Sequence, residues 1–361
     1  MSIASDHTGA HKARAPSFAE LFSPKLLTVL REGYGFADLR ADAMSGLTVA
    51  IVALPLSMAI AIASGVSPGR GLITSVIGGF LVSLLGGSRF QIGGPAGAFI
   101  VLVSLSVDRH GVDGLILATM MSGAMLVIAG YLRLGTYIKF IPYPVTVGFT
   151  AGIAVIIFAS QLRDLFGLTL AGREPGELIP KLTALAQALP TMNISAAALA
   201  ALSIAIIIVI KQWRPTWPGI LIAVVVAGVI TWAMNLPVET IGTRFGGIPQ
   251  GLPSFALPDL SWEGVQQLFI PTLTIAILGA IESLLCARVA DNLGTAPPHD
   301  PNQELMAQGV ANFIVPFFGG IPATGTIART VTNIRAGARS PVAGIEHALT
   351  LLAVVMAAAP L

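Results

Sequence analysis

Charge is what this sequence has least of: Asp, Glu, Lys and Arg make up 11% of 361 residues, against 54% hydrophobic residues. No soluble fold hides that much apolar surface, so the two or three soluble domains that the length alone suggests are excluded. The formal net charge of +2 is too small to argue for a nucleic-acid partner, and the basic residues lie at the ends of apolar runs instead of forming one patch. Cysteine is nearly absent. Cys286 stands alone in an apolar run, which excludes intrachain disulfides and cysteine-cluster metal sites. The polar stretch over residues 1–42 carries Lys12, Arg14, Lys25, Arg31 and Arg40 but no short apolar core followed by a cleavage site, so it reads as a cytoplasmic arm and not a signal peptide. Zinc spacing, phosphate-loop glycines and a nucleophile elbow are also missing. No enzymatic activity, cofactor or resident metal is expected.

What is present is a succession of apolar runs, each about long enough to cross a hydrocarbon core as a helix. Breaks at charged or Pro/Gly-rich stretches delimit spans near 43–64, 71–87, 95–107, 113–132, 143–162, 194–211, 218–235, 268–289, 304–318, 323–336 and 341–360. The expected fold class is therefore an all-α polytopic membrane protein with the lipid bilayer as its solvent. With the N-terminus in the cytoplasm, alternating spans put Arg89, Arg133, Lys139, Lys211, Arg214, Arg288, Arg335 and Arg339 on the cytoplasmic side. Only Arg70, Arg109, Arg163, Arg173, Lys181 and Arg244 fall outside, the asymmetry expected of a bacterial inner (plasma) membrane protein. Residues 163–190 and 236–267 read as extracytoplasmic loops.

Two runs, 95–107 and 323–336, are too short to cross, and each follows proline and an extended, glycine-rich stretch. Gln91-Ile92-Gly93-Gly94-Pro95-Ala96-Gly97-Ala98 echoes Gly319-Gly320-Ile321-Pro322-Ala323-Thr324-Gly325-Thr326. One such interruption in each half predicts an inverted-repeat transporter whose site lies where two half-helices meet. The first repeat is read over 43–235, with core spans over 43–132 and gate spans over 143–235. The second begins near 268 and holds core spans only to 361, so an incomplete second repeat, from a fragment or a shortened gene product, is expected.

The helices expected to start at Pro95 and Pro322 open on Ala96, Gly97 and Ala98, and on Ala323, Thr324, Gly325 and Thr326. Such small side chains leave first-turn N–H donors bare, and the helix dipole adds positive charge, so an anion between two such ends is favoured. Small residues also permit close helix packing; their occurrence as a pair favours a site. Arg329, far from either interface, is expensive there unless it faces water, an anion or an ion pair with Glu282. Glu282, mid-span in a neutral helix, has the desolvated setting that proton coupling requires. Pro55 bends the first span, where Ser57 is a donor for an oxyanion. His347, beside Glu346, is expected at an interface.

Gly87-Ser88-Arg89-Phe90-Gln91-Ile92-Gly93-Gly94-Pro95-Ala96, Gly279-Ala280-Ile281-Glu282-Ser283-Leu284-Leu285 and Phe318-Gly319-Gly320-Ile321-Pro322-Ala323-Thr324-Gly325-Thr326-Ile327-Ala328-Arg329-Thr330, followed by Asn333-Ile334-Arg335-Ala336-Gly337-Ala338, carry a resemblance. From about residue 35 onward the chain resembles the SulP family of anion permeases, the bacterial relatives of solute carrier family 26. The resemblance implies seven plus seven inverted spans in a core and a gate domain, carriage of sulfate, bicarbonate, dicarboxylates or halides, and usually a homodimer with a cytoplasmic STAS domain. It implies substrate contacts at Leu56, Ser57, Ile60, Ala96, Gly97, Thr324, Gly325, Thr326 and Arg329, and ion coupling at Glu282. Sodium-coupled members resemble one another in an aspartate followed four residues later by threonine. Glu282 and Cys286 stand there instead, which favours the proton. The resulting expectation is sulfate:proton symport by alternating access. Dicarboxylate or bicarbonate transport and an uncoupled anion exchanger or channel are the alternatives. A nucleobase permease would need ring-recognising polar groups where Leu56, Ile60 and Ala96 stand.

Overall fold

The computed structural model describes residues 22–140, 143–172, 174–214, 217, 219–245, 255–257, 262–294 and 296–357. The first half of the expected arm, with His7, His11, Lys12 and Arg14, lies outside the described residues. So do Arg173, much of the glycine- and proline-rich part of 236–267, and the last four positions.

The described chain is helical almost throughout. It runs α1 (Lys25–Gly33), α2 (Phe36–Ala63), α3 (Pro68–Leu85), a short strand β1 (Gly93–Gly94), a 3-10 turn (Gly97–Phe99) and α4 (Ile100–Tyr131). After a second 3-10 turn (Leu134–Phe140) come α5 (Tyr143–Phe166), α6 (Leu178–Ala188), α7 (Ile194–Trp213), α8 (Gly219–Met234), α9 (Ile241–Phe245) and α10 (Trp262–Gln267). The last third holds α11 (Phe269–Leu293), α12 (Pro301–Ile314), β2 (Thr324–Gly325), α13 (Ile327–Arg335) and α14 (Val342–Ala357). Five of the described helices, α2, α3, α4, α7 and α11, are long and apolar enough to cross a membrane. No residue of α7 is fully buried, as expected of a helix largely facing lipid.

Local rules account for most boundaries. Pro68 opens α3 at its first turn, where a missing N–H costs nothing, and Asn193 caps α7 by accepting from the N–H groups of Ser195 and Ala196 at 2.9 and 3.2 Å. Gly111, at φ 69°, takes a left-handed conformation that breaks α4 into 100–110 and 112–131, matching the two separate spans read from the sequence. The amphipathic α6 was not foreseen; it lies within the segment read as the loop 163–190.

The helices pack in two groups. In one, α12 lies along α4 and α14 along α2, with α3, α11 and α13 between them. Phe99, Val103, Leu115, Ile275 and Ile321 form its main apolar cluster. Backbones at the α4–α12 crossing approach so closely that a Cβ on Gly123 would lie 2.4 Å from the Phe313 nitrogen, and one on Gly309 2.5 Å from the Val127 nitrogen. This is the small-residue crossing that substitutes for hydrophobic driving force in a membrane. In the second group α5 packs on α6 and α7, and α7 on α8.

Candidate functional site

The echoing segments meet in the first packing group, but as strands before they are helices. β1 and β2 pair antiparallel, Gly93 with Gly325 and Gly94 with Thr324. The Thr326 N–H extends the ladder to the Ile92 carbonyl at 2.9 Å, and the Thr326 hydroxyl donates to the same oxygen at 3.0 Å.

Both half-helices consequently begin later than the prolines indicate: the first at Gly97, the second at Ile327, with Thr326 as its N-cap. Thr324 and Gly325 are therefore not first-turn residues. The physical reason is that each extended segment is the other's partner, and strand pairing satisfies backbone groups that a helix start would leave orphaned. The open donors at the second end are those of Ile327, Ala328 and Arg329, because α13 has no side-chain cap.

Arg329 is wholly buried and lies under the strand crossing. Its Nη1 donates to Ser75 Oγ at 2.9 Å and its Nη2 to Ser57 Oγ at 3.0 Å, while Nε has no partner. The guanidinium presses so tightly on β1 that a Cβ on Gly94 would meet Nη1 at 2.3 Å. Ser57 donates its proton to the Ala53 carbonyl at 2.5 Å and lies 2.7 Å from Ser75 Oγ, so in that pair Ser75 is the donor. In this arrangement Ser57 gives its proton to the Ala53 carbonyl while its oxygen holds Arg329. Leu56 and Ile60 flank it on α2, half-buried and buried. The expected ion pair between Arg329 and Glu282 is not among the described interactions: among the described residues the guanidinium hydrogen-bonds to the hydroxyls of Ser57 and Ser75.

Glu282 lies on the face of α11 that addresses β2 and α13. Gly279, Glu282 and Cys286 recur at helical spacing along it. The Gly279 carbonyl accepts from the Thr324 hydroxyl at 3.3 Å, and the Cys286 thiol lies 3.3 Å from Thr330 Oγ1. Between them Glu282 is 6% exposed, with Oε2 lacking any hydrogen-bond partner. At the other half-helix, Ala96 is buried, and a Cβ on Gly97 would come within 2.3 Å of Ile157 on α5. The second packing group thus rests directly on the start of the first half-helix.

Several supporting residues escaped the sequence. Asn312 clamps the turn before β2, donating to the Ala323 carbonyl at 2.7 Å and accepting from its N–H at 2.8 Å. Gln91 lies behind Gly325 and donates to Ser283 at 3.3 Å. Glu304, fully buried, accepts from the Gly87 N–H and from Gln308 Nε2, both at 3.0 Å. Its position at the start of an expected span hid it, although a carboxylate at membrane depth is itself a signal. His347 is a correction: it is fully buried, with both ring nitrogens unpartnered, because its helix begins at Val342 and packs along α2 instead of ending at an interface.

Comparison with known proteins agrees with this geometry. Residues 39–361 match the model of the Sulfate permease family. YvdB of Bacillus subtilis (strain 168), named as a candidate sulfate transporter, is 44% identical over 331 residues, covering 91% of this chain and 62% of that protein. The bicarbonate transporter BicA of Picosynechococcus is 33% identical over 336 residues, covering 90% of this chain and 59% of that protein. The chain thus spans about three fifths of the length of these curated relatives. Among solved structures, the transmembrane domain of a cyanobacterium bicarbonate transporter BicA superposes with TM-score 0.80 at 32% identity, covering 90% of this chain and 84% of that one. Murine Slc26a9 in the inward-facing state gives TM-score 0.82 at 19% identity over 98% of this chain and 62% of that one, a likeness of fold. The paired half-helices, the buried arginine beneath them and these matches together place the chain, as a multi-pass membrane protein of the inverted-repeat transporter fold, in the sulfate permease family.

Proposed function

We propose that this chain forms the transport unit of a secondary active anion carrier that moves sulfate together with a proton by alternating access. The observation that carries the reading is Arg329, a guanidinium buried under a strand crossing, with neutral hydroxyls as its hydrogen-bond partners and, among the described residues, no carboxylate paired to it. A buried cation without a counter-charge costs several kcal/mol, and an anion bound above the crossing would offset that cost. The anion sits between the two half-helix ends, received by first-turn N–H donors at Gly97 and at Ile327–Arg329 and bordered by Leu56, Ile60, Ala96, Thr324, Gly325 and Thr326. Arg329 supplies field from behind the crossing, with Ser57 and Ser75 fixing its fork.

Glu282 is the coupling group. It shares the α11 face that holds Thr324, and its unpartnered oxygen is suited to a proton. A protonated Glu282 lets the anion enter a site whose net charge is otherwise reduced by a second anion. Sulfate leads because the family match and YvdB, among other relatives, point to it, and bicarbonate follows from BicA. Backbone donors and one arginine accommodate a dicarboxylate equally well. A bacterial inner-membrane location with the N-terminus in the cytoplasm, and a homodimer, complete the reading.

The test is uptake of labelled sulfate into proteoliposomes containing the full chain under an inward proton gradient. Unlabelled fumarate, bicarbonate and chloride serve as competitors. Gradient-driven accumulation that becomes gradient-independent in Glu282→Gln is the expected result. Undiminished proton coupling in that variant would overturn Glu282's role, and uptake of bicarbonate or fumarate without sulfate would replace the substrate.

A further inference from the structure

A second concentration of charge lies at the opposite end of the molecule from α1, where α5 finishes. Arg163 on α5 and Lys181 on α6 share one carboxylate: Lys181 Nζ lies 3.0 Å from Glu174 Oε1, and Arg163 Nη1 lies 3.9 Å from Glu174 Oε2. These side chains are withdrawn from solvent, with exposures of 3% for Lys181, 17% for Glu174 and 21% for Arg163. Arg163 Nε is buried and has no hydrogen-bond partner. Among the described residues these two cations share a single carboxylate, so one positive charge is unmatched within the trio.

The acids nearby do not supply it. Asp164 and Glu239 lie beside Arg244, at 3.1 and 3.7 Å, and their side chains are 49% and 69% exposed, so solvent screens them. A cavity of about 290 Å³ opens among these groups, lined by Arg163, Glu174, Arg244, Ser67 and Ser104 and closed on one side by Ile62 and Val66. The segment carrying Glu174 is pinned against α4, because a Cβ on Gly176 would stand 3.0 Å from Ser104 Oγ. A neighbouring cavity of about 440 Å³ shares Ile62, Arg163 and Arg244 and extends the opening along the same end of the molecule. Ile62 is five residues beyond Ser57 on α2, about 7.5 Å along the helix axis.

We propose that this vestibule is a second binding site for a small oxyanion, in which the anion takes the place that Glu174 occupies between Arg163 and Lys181. Glu174 shows what the site accepts: two oxygens with a negative charge, one 3.0 Å from an ammonium and one 3.9 Å from a guanidinium nitrogen. The pocket has room for a tetrahedral or planar oxyanion, and Ser67 and Ser104 add hydroxyl donors that the carboxylate does not use. A displaced Glu174 would turn towards Arg244, which lines the same cavity. The ligand class rests on the anion-transport reading above; binding here requires neither coupling nor turnover.

The experiment uses the full chain in proteoliposomes with Ser67→Cys, an exposed position on the cavity wall. Cys286 is buried and stays silent. The rate of reaction with a membrane-impermeant cationic thiol reagent is followed against sodium sulfate, with sodium gluconate holding ionic strength constant. Sulfate slows modification in the proposed site. Glu174→Gln lowers the half-protecting sulfate concentration about tenfold, and Lys181→Met or Arg163→Gln raises it by a similar factor. A structural cluster behaves otherwise: Glu174→Gln lowers the thermal midpoint and leaves the half-protecting concentration where it was, which overturns the proposal. Protection without sulfate transport keeps this site and removes the transport reading. Transport without protection removes this site and leaves the transport reading standing.

Discussion

At the residue scale, one missing side chain decides whether the buried arginine fits. Gly94 has φ 154°, a backbone conformation that side-chain-bearing residues rarely adopt, and Arg329 Nη1 occupies the volume its Cβ would need. Gly94→Ala therefore combines backbone strain with displacement of the guanidinium from Ser75. A stability loss of about 2–4 kcal/mol and loss of anion uptake are expected, read by thermal unfolding in detergent and by flux. Arg329→Lys replaces the guanidinium fork by a single ammonium and relieves the overlap, so Gly94→Ala with Arg329→Lys regains stability relative to Gly94→Ala but not transport. Strict additivity of the two substitutions would show that the contact carries none of the effect. Arg329 and Glu282 were legible in the sequence because an ionisable residue deep in an apolar run is conspicuous by itself. Ser75 was not: a serine in a membrane helix signals nothing until its partner, 254 residues away, is known.

At the element scale, the spans were legible and the starts of the half-helices were not. Apolar runs are local properties of the chain, so helices such as α7 (Ile194–Trp213) fall within a few residues of the span read at 194–211. The ladder from Gly93–Gly94 to Thr324–Gly325 is a contact across more than 200 positions, and no local rule reveals that these residues pair instead of coiling. A proline commonly opens a helix, whereas here Pro95 directly follows β1 and Pro322 precedes β2. The corrected start makes its own prediction. Ile327 is the first helical residue of α13, and Thr326 before it has φ −109° and ψ 114°, a conformation that a following proline favours. Ile327→Pro thus removes one N–H donor while leaving α13 intact. If that donor faces the anion, the KM for uptake rises roughly tenfold, the worth of one hydrogen bond to a charged group, with the thermal midpoint nearly unchanged. An unaltered KM would mean that the α13 terminus does not hold the substrate.

At the scale of the whole molecule, the arrangement matters through what rests on what. α3, α4, α11 and α13 lock the strand crossing, Arg329 and Glu282 into one packed group, and α5 reaches that group at Gly97, where Ile153 and Ile157 lie over the start of the first half-helix. A carrier that alternates access needs such a contact, tight in one state and released in another, beside a site whose own geometry stays fixed. Gly97 is what permits the approach, since a Cβ there would penetrate Ile157 Cδ1. Gly97→Val should wedge α5 away from the half-helix without disturbing the ladder, and because the residue keeps its N–H, turnover should fall at least about tenfold, by more than anion affinity does. Trimming the opposing side chain restores the space, so Gly97→Val with Ile157→Ala should recover most of the lost turnover. Ile157→Ala alone, which opens a gap instead of a clash, should have the smaller effect. Uptake rates and anion-dependent thermal stabilisation of the three variants separate motion from binding. If Gly97→Val abolished binding as well as turnover and Ile157→Ala rescued neither, the contact would belong to the architecture of the site itself, and the moving boundary between the two helix groups would have to lie elsewhere.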